Sequence, residues 1–524
     1  MKETIKSLML QGYLTEPSAA ELIKEASIKN EDFYHIFLSL NPPKCITKEF
    51  ILQNIQKIVT QLIKKNPEIS EETISFFNNL IPKKENEEIN DNIQQIKEDQ
   101  ERVKKLDEFK KRKVEITQSI EIKNRKLTVE DFTKYFRGRY DYLKRILQEK
   151  NLENLSSIGK LSGQRKNFSI IGMISNKRLT KNKNLILEIE DLSGKLNVLI
   201  NANKKELFEK AKDLVLDEVI ALTGVGDSEI FFVNDIFFPD TFITEKKTSP
   251  DDEYVLFTAD WHVGHKTFME ENIVKFISWI NGEIGTESQK EIAKKVKYLF
   301  IAGDLVEGVG VYPSQEQELA IKDLYQQYKK FAEILRKIRK DVTIILCAGN
   351  HDAVRLVEPQ PIIEKKFIQE IIDMENVFFT TNPSVVNLGK TKNFAGFNIL
   401  MYHGFSYPHY MDNVDSLRLA NAKLKPDMIM HFLLKKRHLA PTHASTTYFP
   451  SEKDFLLIEN PPDIFLSAHT HHTAISTYNN ILTISCASWI PETTYQEKLG
   501  LVADPCKVPI FHMKTGKIAM LDFN

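Results

Sequence analysis

The stretch "TIILCAGNHD" (343–352) runs five apolar residues into Gly349, Asn350, His351 and Asp352. A short β-branched run that stops at Gly-Asn reads as a buried strand leaving the sheet through a tight turn. Four other stretches repeat that form. "YVLFTADWH" ends at Asp260 and His262, "KYLFIAGD" at Asp304, "FNILMYHG" at His403 and "DIFLSAHTH" at His469 and His471. Between them lie helical patterns, so residues 247–524 read as a layered α/β domain. In such sheets ligands gather outside the carboxyl ends of the strands, where five polar termini are poised to meet.

The residue types fit two divalent ions. Aspartate, asparagine and histidine supply hard oxygen and imidazole nitrogen without thiolate, a set suited to Mn²⁺, Fe²⁺ or Zn²⁺. The two-residue spacing of Asp260 and His262, shared by His469 and His471, predicts extended backbone that points each pair to one side. Gly303, Gly349 and Gly404 stand beside these residues, where a larger side chain would obstruct the turn.

The rest of the chain is organised in three further parts. Residues 1–82 read as short amphipathic helices punctuated by Pro42, Pro43 and Pro82, a small helical domain. Residues 83–150 open with the charged run 83–113, a solvated linker, and continue into an amphipathic helix carrying Phe132, Tyr135, Phe136, Tyr140, Leu143 and Ile146. Residues 151–246 change to a period of two, giving five strands with one helix between the third and fourth. That is the order of an OB-type β-barrel.

Bulk composition excludes several classes. The chain has 524 residues, too many for one core, with 42% hydrophobic and 27% charged residues. No apolar run is long enough to span a membrane, and the N-terminus lacks a signal-peptide core, so a cytoplasmic protein is expected. Four scattered cysteines argue against a disulfide framework or a zinc ribbon. A formal net charge of −1 predicts no strong whole-molecule attraction to nucleic acid, which leaves a local basic groove open.

The order Asp-x-His, Gly-Asp, Gly-Asn-His-Asp, His-Gly and His-x-His resembles that of the calcineurin-like metallophosphoesterases. "GNHDAVRLVEPQP" (349–361), "KKRHLAP" (435–441) and "ASWIPETTYQEKLGLVADPCKVPIFHMKTGK" (487–517) are similar to the small subunit of the archaeal family D replicative polymerases. The likeness spans roughly residues 125–524. It implies a proofreading 3′→5′ DNA exonuclease subunit that uses two divalent ions, Mn²⁺ first, with Fe²⁺, Zn²⁺ or Mg²⁺ as alternatives. It also implies as partners a large polymerase subunit, a single-stranded or frayed 3′ primer end and, through the holoenzyme, a sliding clamp.

By the same resemblance, one ion takes Asp260, His262, Asp304 and His471. The other takes Asp304, Asn350, His403 and His469, which makes Asp304 the bridge. His351 would protonate the departing oxygen, and Glu307, three residues after the bridge, would orient it. The family usually has glycine before the first histidine of the last motif. Here it is Ala468, whose methyl would either crowd the second ion or be accommodated, so His469 is the ligand this departure bears on.

Rival readings stay in view. A phosphoprotein phosphatase would follow Gly-Asp with an arginine that "GDLVEGVG" (303–310) lacks. A repair nuclease would not carry the preceding barrel. A non-catalytic scaffold subunit would have eroded ligands. His265, His409 and His472 match no ligand position, and Trp261 and Trp489 read as core. "LKKRHLAP" (434–441) reads as a basic loop that could meet phosphate or a partner.

Overall fold

The computed structural model describes residues 8–29, 33–65, 76, 113–120, 125–451, 453–492 and 502–524. Residues 1–111 and 112–524 form two compact units. All but the last residue of the charged run 83–113 lie outside the described residues.

In the first unit, helices Pro17–Lys29, Phe33–Ser39 and Lys48–Lys65 bury Ile23, Phe37, Ile51, Ile55 and Ile58 against one another. The apolar positions of the third helix recur three and four residues apart, which puts them on one stripe. A two-residue parallel pairing of β1 (Leu14–Thr15) with β2 (Cys45–Ile46) ties the loops together.

The second unit begins with β3 (Val114–Gln118) and a helix over Val129–Gln148. A closed barrel follows, built from β4 (Lys166–Leu179), β5 (Leu185–Asp191), β6 (Gly194–Ile200), β7 (Val219–Gly226) and β8 (Ile230–Phe237). Its strand order is β4-β5-β6-β8-β7, with β6 and β8 parallel and helix Lys205–Lys212 between β6 and β7. Asp191 Oδ1 accepts from the Ser193 and Gly194 amides and closes the β5–β6 hairpin. Gly224 is required inside the barrel, since a Cβ there would lie 2.1 Å from the Phe232 carbonyl oxygen.

Strands β9 (Tyr254–Thr258), β10 (Val296–Ala302), β11 (Thr343–Cys347) and β12 (Val377–Phe379) are parallel neighbours. Next come β13 (Ser384–Leu388), β14 (Phe397–Tyr402), β15 (Ile464–Ser467), β16 (Ala474–Tyr478), β17 (Ile481–Ser485), β18 (Lys507–His512) and β19 (Lys517–Asp522). One six-stranded sheet runs β12-β11-β10-β9-β18-β19, the other β16-β17-β15-β14-β13-β3. Both are mixed. The parallel core strands read as nearly unbroken apolar runs because both of their faces are covered.

Helices Glu270–Ile280 and Leu324–Leu335 pack Ile273, Phe276 and Phe331 onto Leu256, Leu299 and Ile344 of the first sheet. Helices Tyr407–Asn413 and Pro426–Lys436 pack Tyr410, Ile429 and Leu433 onto Leu400 and Phe465 of the second. Phe397 of β14 meets Phe511 of β18 edge-on, their ring centroids 5.4 Å apart. The domain is thus two sheets with helices outside them.

Two sequence-based assignments change. β3 lies between the charged run and the amphipathic helix, in a part of 83–150 where no strand is expected, yet it pairs antiparallel with β13 as an edge strand of the second sheet. "LKKRHLAP" is not a free basic loop. Lys436 is buried on Glu218 of the barrel at 2.7 Å, and Arg437 donates to the carbonyls of Asp240, Ile458 and Glu459. These cations join the barrel to the two-sheet domain. Among the described residues, no helix is long and apolar enough to cross a membrane.

Candidate metal centre

β9, β10, β11, β14 and β15 end at residues 258, 302, 347, 402 and 467. Within three residues of those ends stand Asp260, Asp304, Asn350, His403 and His469. The loops are zipped by backbone hydrogen bonds: Asp260 donates to the Gly303 carbonyl (3.0 Å), His262 to Asp304 (3.1 Å) and Trp489 to Asp260 (2.9 Å).

The local backbone is not the extended one expected from the two-residue spacings. Asp260, His262, Asp304, His469 and His471 all have positive φ, between 48° and 71°. Left-handed backbone costs a non-glycine residue on the order of 1–2 kcal/mol, and such residues gather at functional sites. Trp261 sits between the first pair with its indole in the core. Its Nε1–H and that of Trp489 both donate to the Thr258 hydroxyl, at 3.3 and 2.8 Å. Trp261 is buried while Asp260 and His262 on either side of it both reach the site.

Glycine is obligatory at two points. A Cβ on Gly349 would lie 2.2 Å from Asp304 Oδ1, and one on Gly303 would lie 2.6 Å from His403 Nδ1. Asp304 and His403 therefore approach the backbone of neighbouring strand ends more closely than any side chain permits.

Potential ligand atoms converge in three groups, Asp260–His262–His471, His262–Glu307–His351 and Asp304–His403–His469, each within 4.8 Å, and the first two share His262. His262 Nε2 lies 3.0 Å from His471 Nε2. His403 Nε2 lies 3.1 Å from Asn350 Oδ1 and 3.2 Å from Asp304 Oδ2. The same Asp304 Oδ2 is 3.8 Å from His262 Nε2, so this one oxygen stands between the first and third groups. Asp304 Oδ1 accepts the His351 amide at 2.8 Å, which fixes the carboxylate plane.

Several features of these residues fit divalent cations. Among the described residues Asp260 Oδ1 is buried without a hydrogen-bond partner, and burial pushes its carboxyl well above the usual range. An orphaned buried carboxylate oxygen is costly unless a cation meets it. His403 donates Nδ1–H to the Ala302 carbonyl and His262 donates to Glu307, both at 2.8 Å, which turns both Nε2 atoms inward. Burial pushes His469 down to about 3 and His471 well below its ordinary value, leaving neutral imidazoles. Burial also opposes charge on His403, but Asp304 and Asp260 outweigh it and raise that group to about 10. The carboxylates that hold a proton there are placed to hold a cation.

Glu307 and His351 depart from expectation. The Glu307 carboxylate is spent on His262, whereas His351 Nδ1 lies 3.7 Å from it and 2.8 Å from the Glu307 carbonyl oxygen. The backbone, not the side chain, orients His351. Its ring stands edge-on to His262 at 4.6 Å.

Ala468 is fully buried, and His469 after it takes the left-handed turn. The Ala468 amide donates to the His403 carbonyl at 3.0 Å, and the His469 amide to Asp260 Oδ2 at 3.1 Å. His472 points away, its Nδ1 bonded to the Val502 carbonyl at 3.0 Å. His265 is buried against Thr267, and His409 lies half-buried on helix Tyr407–Asn413.

Sequence reasoning missed Tyr312 and Gln315. They approach Glu307 Oε1 at 3.0 and 2.8 Å from the following loop, and neither type nor spacing marked them. It also gave no role to Asp352, which accepts from the Gly349 and Leu305 amides and from the Tyr328 hydroxyl. That carboxylate braces the turn rather than facing the site, and burial pushes it up to about 7.

Two sheets whose strand ends gather histidine, aspartate and asparagine in this order define a calcineurin-like phosphoesterase domain, and residues 254–473 match the model of that family. The DNA polymerase II small subunit of Methanothermobacter thermautotrophicus is 35% identical over 398 residues, covering 76% of this chain and 80% of the relative. That of Archaeoglobus fulgidus is 34% identical over 397 residues, 75% and 77% of the two chains. The Pyrococcus furiosus subunit is 35% identical over 406 residues, and the matched region spans only 64% of its length. The chain belongs to the DNA polymerase II small-subunit family.

Proposed function

We propose that this chain is the proofreading 3′→5′ exonuclease subunit of a two-subunit replicative DNA polymerase. The position of Asp304 Oδ2, 3.2 Å from His403 Nε2 and 3.8 Å from His262 Nε2, carries the reading. One carboxylate oxygen between two histidine groups is placed where it could be shared by two divalent cations. Asp260, His262, Asp304 and His471 would hold one ion, and Asp304, Asn350, His403 and His469 the other. Bound there, two divalent ions would supply Lewis acidity and charge neutralisation at a phosphodiester.

The chain's own residues do the rest. His351 donates Nδ1–H to the Glu307 carbonyl, so in the imidazolium form its Nε2–H is the group that gives a proton to the departing 3′ oxygen, leaving the ring neutral. The P–O bond to that oxygen breaks as water oxygen bonds phosphorus, and the proton lost by water leaves to solvent. Asp304 Oδ1, pinned by the His351 amide, ties the bridge to the acid.

The five-stranded barrel is read as an OB-type domain over residues 151–246. Residues 1–82 are read as a separate helical domain, and 247–524 as the nuclease domain. The relatives' name supports a large catalytic subunit as partner, docked through barrel and phosphoesterase surfaces. The substrate is a single-stranded or frayed 3′ primer end in the nucleoid, reached with a sliding clamp through the holoenzyme.

A labelled strand with a mismatched 3′ end, incubated with the chain and Mn²⁺, with and without the large subunit, tests this. Stepwise shortening from the 3′ end is expected. Release of phosphate from phosphoserine peptides without DNA cutting would make it a phosphatase. Intact binding of the large subunit without any hydrolysis would make it a scaffold.

A further inference from the structure

We infer that Glu307 is a positioning residue for His262, and that the loop after it exists in part to hold that carboxylate. Glu307 Oε2 accepts His262 Nδ1–H at 2.8 Å, with both side chains 2% exposed. A histidine fixed through Nδ1 can present only Nε2, and that atom lies 3.0 Å from His471 Nε2 and 3.8 Å from Asp304 Oδ2. A carboxylate behind a histidine ligand fixes the ring's tautomer and angle and makes the imidazole more basic.

The other oxygen is held from the loop. Gln315 Nε2 donates to Glu307 Oε1 at 2.8 Å and to the Glu307 carbonyl at 2.9 Å. Gln315 Oε1 accepts the Val311 amide at 2.9 Å. The Tyr312 hydroxyl lies 3.0 Å from Glu307 Oε1 and 2.6 Å from Glu318 Oε2. One side chain therefore anchors a loop on one side and a candidate ligand on the other. The Glu307 carbonyl separately holds His351 Nδ1 at 2.8 Å, and a side-chain replacement leaves that carbonyl in place.

The inference rests on the proposed metal set, and it separates the two ions. Glu307→Gln keeps the side-chain shape and removes its charge, so the ion held by Asp260, His262 and His471 is bound more weakly. The ion held by Asn350, His403 and His469 is not.

Mn²⁺ titration of the full chain by calorimetry, with electron paramagnetic resonance to distinguish single from coupled ions, reads this without any turnover. The expected result is a roughly 10–100-fold loss of affinity for one ion, with the other unchanged. The coupled-pair signal gives way to a single-ion signal at intermediate Mn²⁺. Glu307→Asp, one methylene short, does not restore it, and Gln315→Ala shifts the same ion in the same direction.

Equal weakening of both ions, or wild-type affinity for both, overturns the inference. A wild-type chain that takes up no Mn²⁺ overturns it together with the proposed metal set. One that binds two ions yet leaves DNA intact overturns only the exonuclease reading.

Discussion

Arg139 Nε donates to Asp454 Oδ2 across 2.7 Å, and neither side chain exposes more than 1% of its surface. The guanidinium also donates to the carbonyls of Asp217 and Pro441, and Asp454 accepts from Tyr135 and His438. Arg139 lies on helix Val129–Gln148, which packs on the barrel through Tyr140 and on the two-sheet domain through Tyr142. The pair is the buried joint between them. Removing one member strands the other charge in the interior, at a cost of about 3–5 kcal/mol. Arg139→Ala should lose that much stability in urea unfolding of the full chain, and Arg139→Met with Asp454→Leu should recover part of it. A loss below about 1 kcal/mol for the single change would show that the joint is held by packing alone.

The same joint predicts a pH dependence. His438 Nδ1 accepts the Ala440 amide at 2.9 Å and Nε2 donates to Asp454 at 2.8 Å, so the buried ring is neutral. Burial first, and then Arg139, lower its pKa from 6.5 to about 4. Unfolding therefore takes up a proton between those values. The stability contributed is complete above pH 6.5 and falls as pH drops towards 4, by about 3 kcal/mol for this shift. Melting temperature followed from pH 7 to 4 should decline, and His438→Gln should flatten that decline. Parallel curves for the two proteins would remove His438 from the account.

His351→Ala is expected to keep Mn²⁺ binding and lose nearly all DNA cleavage, because the Asp304 contact uses the His351 amide rather than its ring. Single-turnover cleavage beside a Mn²⁺ titration separates the two effects. Wild-type cleavage by the variant would sink the proton-donor role.

The five strand ends were legible because each buried apolar run stops where a polar residue begins, and the glycines follow from crowding at those stops. The strand period could not show that Asp260 and His262 leave the sheet by left-handed turns. Those turns lie in loops held by hydrogen bonds between strand ends distant in sequence, Asp260 N–H to the Gly303 carbonyl and His262 N–H to that of Asp304, a tertiary demand. Nor could spacing show that Glu307 reaches His262 rather than His351. The two rings are 4.6 Å apart, and only the backbone path decides which faces the carboxylate. β3 escaped notice because five residues beside a charged run carry too short an alternation to stand out, and its partner β13 lies some 270 residues away.

Gly349→Ala tests the crowding directly. The new methyl would lie 2.2 Å from Asp304 Oδ1 and 2.5 Å from the Asp304 amide nitrogen. One of these must move, and overpacking of this kind costs about 1–3 kcal/mol. Because Asp304 stands between the two candidate ion positions, the variant should lose Mn²⁺ uptake at both, beyond its loss in melting temperature. Uptake of two ions with wild-type affinity would show that Asp304 is not the bridge.

Asp260 sets stability against binding. Among the described residues its Oδ1 is buried without a hydrogen-bond partner, and burial raises its carboxyl well above the usual range despite His403 Nδ1 4.0 Å away, so without an ion the group is a destabilising element. Asp260→Asn keeps the shape and removes the charge. In the presence of a chelator the variant should melt at or above the wild-type temperature. Added Mn²⁺ should then reverse the order. An ion at 100 times its Kd stabilises the wild type by about 2.7 kcal/mol, and the variant, with a weaker site, gains less. The crossing of the two melting curves with and without Mn²⁺ is the diagnostic. Curves that keep the same order under both conditions would mean that the Asp260 carboxylate meets no cation.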